Sequence, residues 1–204
     1  CVEMLPRQGL SLLVFALGLA SVASLGGLLW WEKRCPEPLI PLSMLRDRSL
    51  AQLFVLSVFS GCLLFVLLFY VPLMLQGGFG MTPREAGLAI TPLVVCITVG
   101  SIVNGRIVTR LARPTLMLYA GFGLLVICVA GLIMTSRSTA GWLMALYLMC
   151  GGLGLGIVLP NLTVFAQQVA GRSLIGITTA MLQSTRMIGG MLGTALVGTV
   201  VSHF

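Results

Sequence analysis

Arg186 is the only charged residue in residues 173–202. A guanidinium is a pure donor with five N–H groups, so an apolar setting must supply it with acceptors or an anion. Thr179, Gln183, Arg186, Gly190 and Gly193 follow one another at spacings of 4, 3, 4 and 3. On a helix that pattern occupies one face, polar in its first half and small in its second. Two readings fit. The polar half could line a cavity or make a gating contact, or Arg186 could bond to backbone carbonyls of a neighbouring helix. Asn161 offers a second polar group, beside Pro160. A proline breaks one helical hydrogen bond, and a loosened turn in an apolar helix is a common place for a ligand. Asn161 is therefore either a ligand contact or one side of an interhelical hydrogen bond.

Bond-making chemistry has no candidates. The five acids, Glu3, Glu32, Glu37, Asp47 and Glu85, all lie outside the apolar stretches, and the single histidine, His203, is next to the last residue. No base stands near an orienting acid, and no His/Cys/acid cluster has metal-ligand spacing. The sequence thus predicts no catalytic residues, no metal and no enzyme. Six cysteines without CxxC spacing argue against a disulfide framework. Gly151, Gly152, Gly154 and Gly156 lack the strand that a dinucleotide-binding loop requires, and read instead as packing residues.

The elements that carry these residues are six apolar blocks. Residues 8–31, 49–83, 86–105, 114–136 and 138–171 contain no Lys, Arg, Asp or Glu, and residues 173–202 contain only Arg186. A helix of about 20 apolar residues crosses a bilayer core, where backbone groups must pair internally. The expected helices run over 10–31, 49–75, 86–105, 115–135, 142–165 and 173–202. The fold class is all-α, a polytopic transmembrane bundle of about six spans. Pro72, Pro92 and Pro160 are expected kinks. Gly77, Gly78 and Gly80 are expected to open a turn, and Pro36, Pro38 and Pro41 to keep the stretch before residue 48 extended.

Charge is confined to the connections, with a net formal charge of +7. Lys33, Arg34, Arg46, Arg48, Arg106, Arg110, Arg113 and Arg172 fall on one set of loops; Arg7, Arg84 and Arg137 fall on the other. The richer side is cytoplasmic by the positive-inside rule, which places loops 32–48, 106–114 and 166–172 there. This explains the basic residues better than nucleic acid, which is excluded as a partner. The partner that remains is the lipid bilayer of an inner, or plasma, membrane. Eleven Met and nine Phe suit either an adaptable greasy pocket or ordinary packing.

Several stretches together resemble the fourteen-span drug:proton antiporters (EmrB/QacA type) of the major facilitator superfamily. They are EKRCPEPLIPLSMLRDR at 32–48, VPLMLQ at 71–76, GMTPREAGL at 80–88 with Pro92, and RMIGGMLGTA at 186–195. GRIVTRLAR at 105–113 is similar to a degenerate copy of the superfamily's cytoplasmic motif, with Thr109 in place of its acid and Ala112 in place of its second glycine. Gly105, Arg106, Arg110 and Arg113 then correspond to a gating loop.

The resemblance implies three parts. Residues 1–31 are an inserted span, 32–48 a cytoplasmic linker, and 49–204 a C-terminal bundle lacking its last span. It implies efflux of small hydrophobic or amphipathic compounds in exchange for protons, with no cofactor beyond the proton gradient as coupling ion. The missing N-terminal bundle of the same protein would be the partner, and Asn161, Gln183 and Arg186 would be substrate-binding. Competing readings are a non-transporting membrane scaffold or assembly subunit, and an exporter of an endogenous metabolite or siderophore. Reading the gene beyond both ends separates them. A transporter requires an upstream helical bundle with a membrane-embedded acid and one further span downstream. A frame that starts near Cys1 favours the scaffold.

Overall fold

The computed structural model describes residues 19–20, 23–24, 26–27, 47–108, 115–135 and 141–203. Most of the expected first span, the linker before residue 47, and Arg110 and Arg113 lie outside these residues. All the described elements are helical. They are α1 (Arg48–Phe65), a π-helical turn (Val66–Tyr70), α2 (Val71–Phe79), α3 (Pro83–Ile107), α4 (Thr115–Ile133), α5 (Gly141–Ala170), a 3-10 turn (Arg172–Leu174) and α6 (Ile175–His203).

Four stretches are long and apolar enough to cross a membrane: Arg48–Phe79, α3, α4 and α5. Of the six expected spans, the first is the one that is mostly not described. α6 is one residue shorter than α5 and is diluted by Thr178, Thr179, Gln183, Thr185 and Arg186.

Local chemistry sets the boundaries, and several differ from expectation. Asp47 caps α1 by accepting from the Ser49 amide at 2.8 Å. The second helix continues past residue 75 to Phe79, so Gly77 and Gly78 are helical. Gly80 alone makes the stop, with φ +68°. α3 starts at Pro83 rather than 86, because Thr82 and Glu85 form a reciprocal capping box with Pro83 in the first turn. α5 runs to Ala170, so residues 166–170 of the expected 166–172 loop are helical. The chain turns at Gly171, where φ is +84°. In each case a cap or a left-handed glycine outweighs the hydropathy edge.

α5 is the central element and packs against α1, α3, α4 and α6. Its Leu148, Leu155, Val158, Asn161 and Leu162 are fully buried, together with Leu93 of α3 and Leu125 of α4. The outer faces carry Phe59, Tyr119, Val126, Ile133, Trp142 and Leu196, all exposed. A bundle that is apolar outside as well as inside matches hydrocarbon rather than water.

Lipid is as apolar as leucine, so these helices associate through close packing and polar contacts. α1 and α6 run parallel in a constant register. Ser57 Oγ donates to the Leu182 carbonyl at 2.9 Å, 125 residues on. One turn later a Cβ on Gly61 would strike the Arg186 carbonyl, and one on Gly189 would strike that of Val58. Another turn on, Gly190 receives the Phe65 ring. α3 and α5 are also parallel, with Gly152 on the Leu93 carbonyl and Gly156 on that of Ile97.

The π turn occurs where α1 meets Pro72. A wider turn gives the proline ring room against the preceding carbonyls. It also brings the Tyr70 hydroxyl onto the Thr194 carbonyl at 2.7 Å, 124 residues on instead of 125. Gly189→Val and Gly152→Val are each expected to lower the melting temperature in detergent, through overpacking costs of about 1–3 kcal/mol or more. Gly123→Val meets only open space and is the control that should melt unchanged. Equal melting of all three would show that backbone contact is not what holds the helices.

Candidate functional site

The polar side chains gather at one place, the turn of α5 around Pro160. Proline has no N–H, so the Gly156 carbonyl loses its usual helical donor. Ser101 of α3 sits opposite, with its hydroxyl 3.1 Å from the Gly156 carbonyl and 2.9 Å from that of Ile97. It can donate to either. A residue later in α5, Asn161 pairs with Asn104 of α3 through both amides. Asn161 Nδ2 donates to Asn104 Oδ1 at 2.8 Å, and Asn104 Nδ2 donates to Asn161 Oδ1 at 3.3 Å. Asn104 and Asn161 are 2% and 0% exposed.

The third strand of this cluster comes from α6. Arg186 Nη2 reaches the Leu159 carbonyl at 3.5 Å, at the outer limit of a hydrogen bond, and the Thr163 hydroxyl shares that carbonyl at 3.1 Å. Arg186 Nη1 donates to Gln183 Oε1 at 2.8 Å. Arg186 Nε is buried with no acceptor among the described residues. The carboxylates among the described residues, Asp47 and Glu85, are exposed and occupied at the starts of α1 and α3. Arg186 therefore has no ion pair among the described residues.

Arg186 lies about 16 Å along α6, and Leu159 about 16 Å from the end of α5. Those two helix ends are joined only by Gly171 and the 3-10 turn. Asn104, by contrast, is one turn from the end of α3. The cluster thus sits just inside the level where α3 stops, while α5 and α6 continue past it. Along that continuation Gln167 Nε2 donates to Thr179 Oγ1 at 2.8 Å.

Of the three expected wall residues, Gln183 and Arg186 share one surface of α6, Gln183 exposed and Arg186 half-buried. Asn161 is enclosed, with its amide engaged on Asn104. Pro160 and Pro92 lie inside continuous helices, and Pro72 follows the π turn. Gly105 and Arg106 form the last turn of α3 and are exposed. Sequence reasoning did not find the Ser101, Tyr70 and Ser57 contacts. The available signal was Gly100, Ser101 and Asn104, a small and polar stripe at helical spacing on α3. No group of three or more potential metal ligands occurs among the described residues. The cluster can hold and orient a polar group, but it contains no base to activate the Ser101 or Thr163 hydroxyl.

The family described as Major Facilitator Superfamily matches residues 9–194. The chain is similar to the multidrug transporter protein MdtP of Bacillus subtilis, 29% identical over 193 residues, covering 93% of this chain and 34% of that protein. It is 31% identical over 183 residues to the tetracenomycin C resistance and export protein of Streptomyces glaucescens, covering 90% of this chain and 34% of that one. With the methylenomycin A resistance protein of Streptomyces coelicolor the identity is 28% over 174 residues, covering 83% of this chain and 36% of the relative. The chain thus spans about a third of the length of these relatives.

A double-mutant cycle tests the buried amide pair. Asn104→Ala and Asn161→Ala should each destabilise the bundle in detergent, with a coupling of about 0.6–1.7 kcal/mol between them. Strict additivity would mean that the two amides do not act as a pair.

Proposed function

The chain belongs to the Major Facilitator Superfamily, and on that premise we propose that it is part of a membrane efflux transporter for small hydrophobic or amphipathic compounds. It is an integral, multi-pass, all-α membrane protein of a transporter family, not an enzyme. The names of its relatives, a multidrug transporter and two antibiotic resistance proteins, support export as the direction. The observation that carries the reading is Arg186, a permanent charge without a carboxylate partner among the described residues, beside a proline turn in the central helix. Intramembrane charge costs about 2.5–3.5 kcal/mol at a helix centre and marks functional paths.

In this reading Gln183 and Arg186 face the passage taken by the compound, and Asn161 holds the wall behind them. The whole protein is longer than this chain and supplies a second bundle. The two bundles alternate access by rocking around the site between them. Protons drive the exchange, and the acid that carries them lies in the other bundle, since none of the chain's five acids falls in an apolar block. Loops 32–48, 106–114 and 171–174 face the cytoplasm, where Arg106 and Arg172 meet anionic lipid headgroups.

Cells lacking their own pumps and expressing the whole protein should export the neutral dye phenylnaphthylamine, and a protonophore should bring export to background. Absence of export would overturn the transport reading. Export that persists after the gradient collapses would overturn the proton coupling alone.

A further inference from the structure

We propose that Arg186 and Gln183 form a docking point for an anionic group, so that the transported compounds include amphipathic acids carrying a carboxylate, sulfonate or phenolate. The inference rests on the transport reading above and names the chemistry of its site.

The donor inventory carries the argument. Arg186 has five N–H groups, of which Nη1 gives one to Gln183 and Nη2 gives one, over a long contact, to the Leu159 carbonyl. Nε–H is buried, with no acceptor among the described residues. Gln183 spends its carbonyl oxygen on Arg186, and its amide nitrogen has no partner among the described residues. The pair therefore presents mostly donors, the second lone pair of Gln183 Oε1 being its one spare acceptor. A neutral hydroxyl or amine can accept a hydrogen bond there but brings no charge to match the guanidinium. An anion finds a charge, a planar fork and a second N–H one turn away on the same face.

The surroundings sharpen the preference. Met187, one turn on from Gln183 along α6, is exposed, and the enclosed α5 turn lies behind the pair. An apolar neighbour beside a cation with no carboxylate partner among the described residues suits a molecule with a greasy body and a single negative group. Hydrogen bonds to a charged group are also worth more than neutral ones in such a setting.

The probes are anilinonaphthalene sulfonate and phenylnaphthylamine, which share their rings and differ by the anionic group. Binding to the purified whole protein is read by dye fluorescence against protein-free micelles. The unmodified protein should bind the sulfonate more tightly. Arg186→Gln should weaken sulfonate binding about tenfold or more and leave phenylnaphthylamine within about twofold. Should Arg186→Gln fail to fold, Gln183→Ala removes, from an exposed position, the second donor and the acceptor of Arg186 Nη1. It should cost the sulfonate about threefold and the neutral dye nothing.

Equal loss of both dyes in the variants would overturn the proposal, and would assign Arg186 to packing or to a carboxylate elsewhere in the protein. An unmodified protein with no preference for the sulfonate would overturn it too. Export of phenylnaphthylamine does not depend on an anion site, so failure of the transport reading shows separately.

Discussion

Pro160 withholds one backbone N–H inside the helix that packs against α1, α3, α4 and α6, and the polar chemistry of the molecule is arranged around that deficit. In water the orphaned Gly156 carbonyl would be hydrated at little cost. In hydrocarbon it must find a donor within the protein. Ser101 stands within reach as that donor, its hydroxyl placed between this carbonyl and that of Ile97. The neighbouring turn is stabilised again by the Asn104–Asn161 pair, and on the other side Arg186 reaches the Leu159 carbonyl. One residue thus draws polar groups from α3 and α6 to the same level of α5. A site able to hold a polar group follows from the same need.

The rest of the bundle is held by closeness. In the α1–α6 and α3–α5 interfaces the contacts run from Cα to facing carbonyl, with glycine at the point of approach. Such interfaces leave no slack for side-chain rearrangement. They favour motion of whole helix pairs over distortion within one pair, since packed interfaces have discrete arrangements rather than a continuum. Two of the described cysteines fit the same scheme. Cys128 packs against Gly151 and Cys62 against Gly193, as small apolar side chains rather than reactive thiols.

Much of this was legible in the residues. Charge-free blocks located the four described spans, the glycine cluster of α5 read as a packing face, and Arg186 with Gln183 stood out as one polar face. What the sequence left open was pairing across helices. Asn104 and Asn161 are 57 residues apart, and either could have faced lipid, a ligand or another helix. Helix ends were misplaced where hydropathy and local chemistry disagree, at Thr82–Glu85 and at Gly171. A hydropathy edge marks where apolar residues stop, whereas a helix stops where its backbone groups find another partner. The π turn had only Pro72 as a signal, and a proline alone does not say how the chain will accommodate it.

That π turn also fixes which aromatic ring meets α6. Along the shared face, Ser57, Gly61 and Phe65 step in fours against Leu182, Arg186 and Gly190. The next step would bring Phe69 to Thr194. The widened turn absorbs one extra residue, so Tyr70 arrives there instead and Phe69 is left 56% exposed. A phenyl ring has no hydroxyl with which to reach a carbonyl. The turn therefore acts as a frame shift in space, exchanging an oily contact for a directional one. A chain shorter by a single residue between Val66 and Tyr70 would need no wide turn, because a regular α-helix would then carry the tyrosine to the same carbonyl.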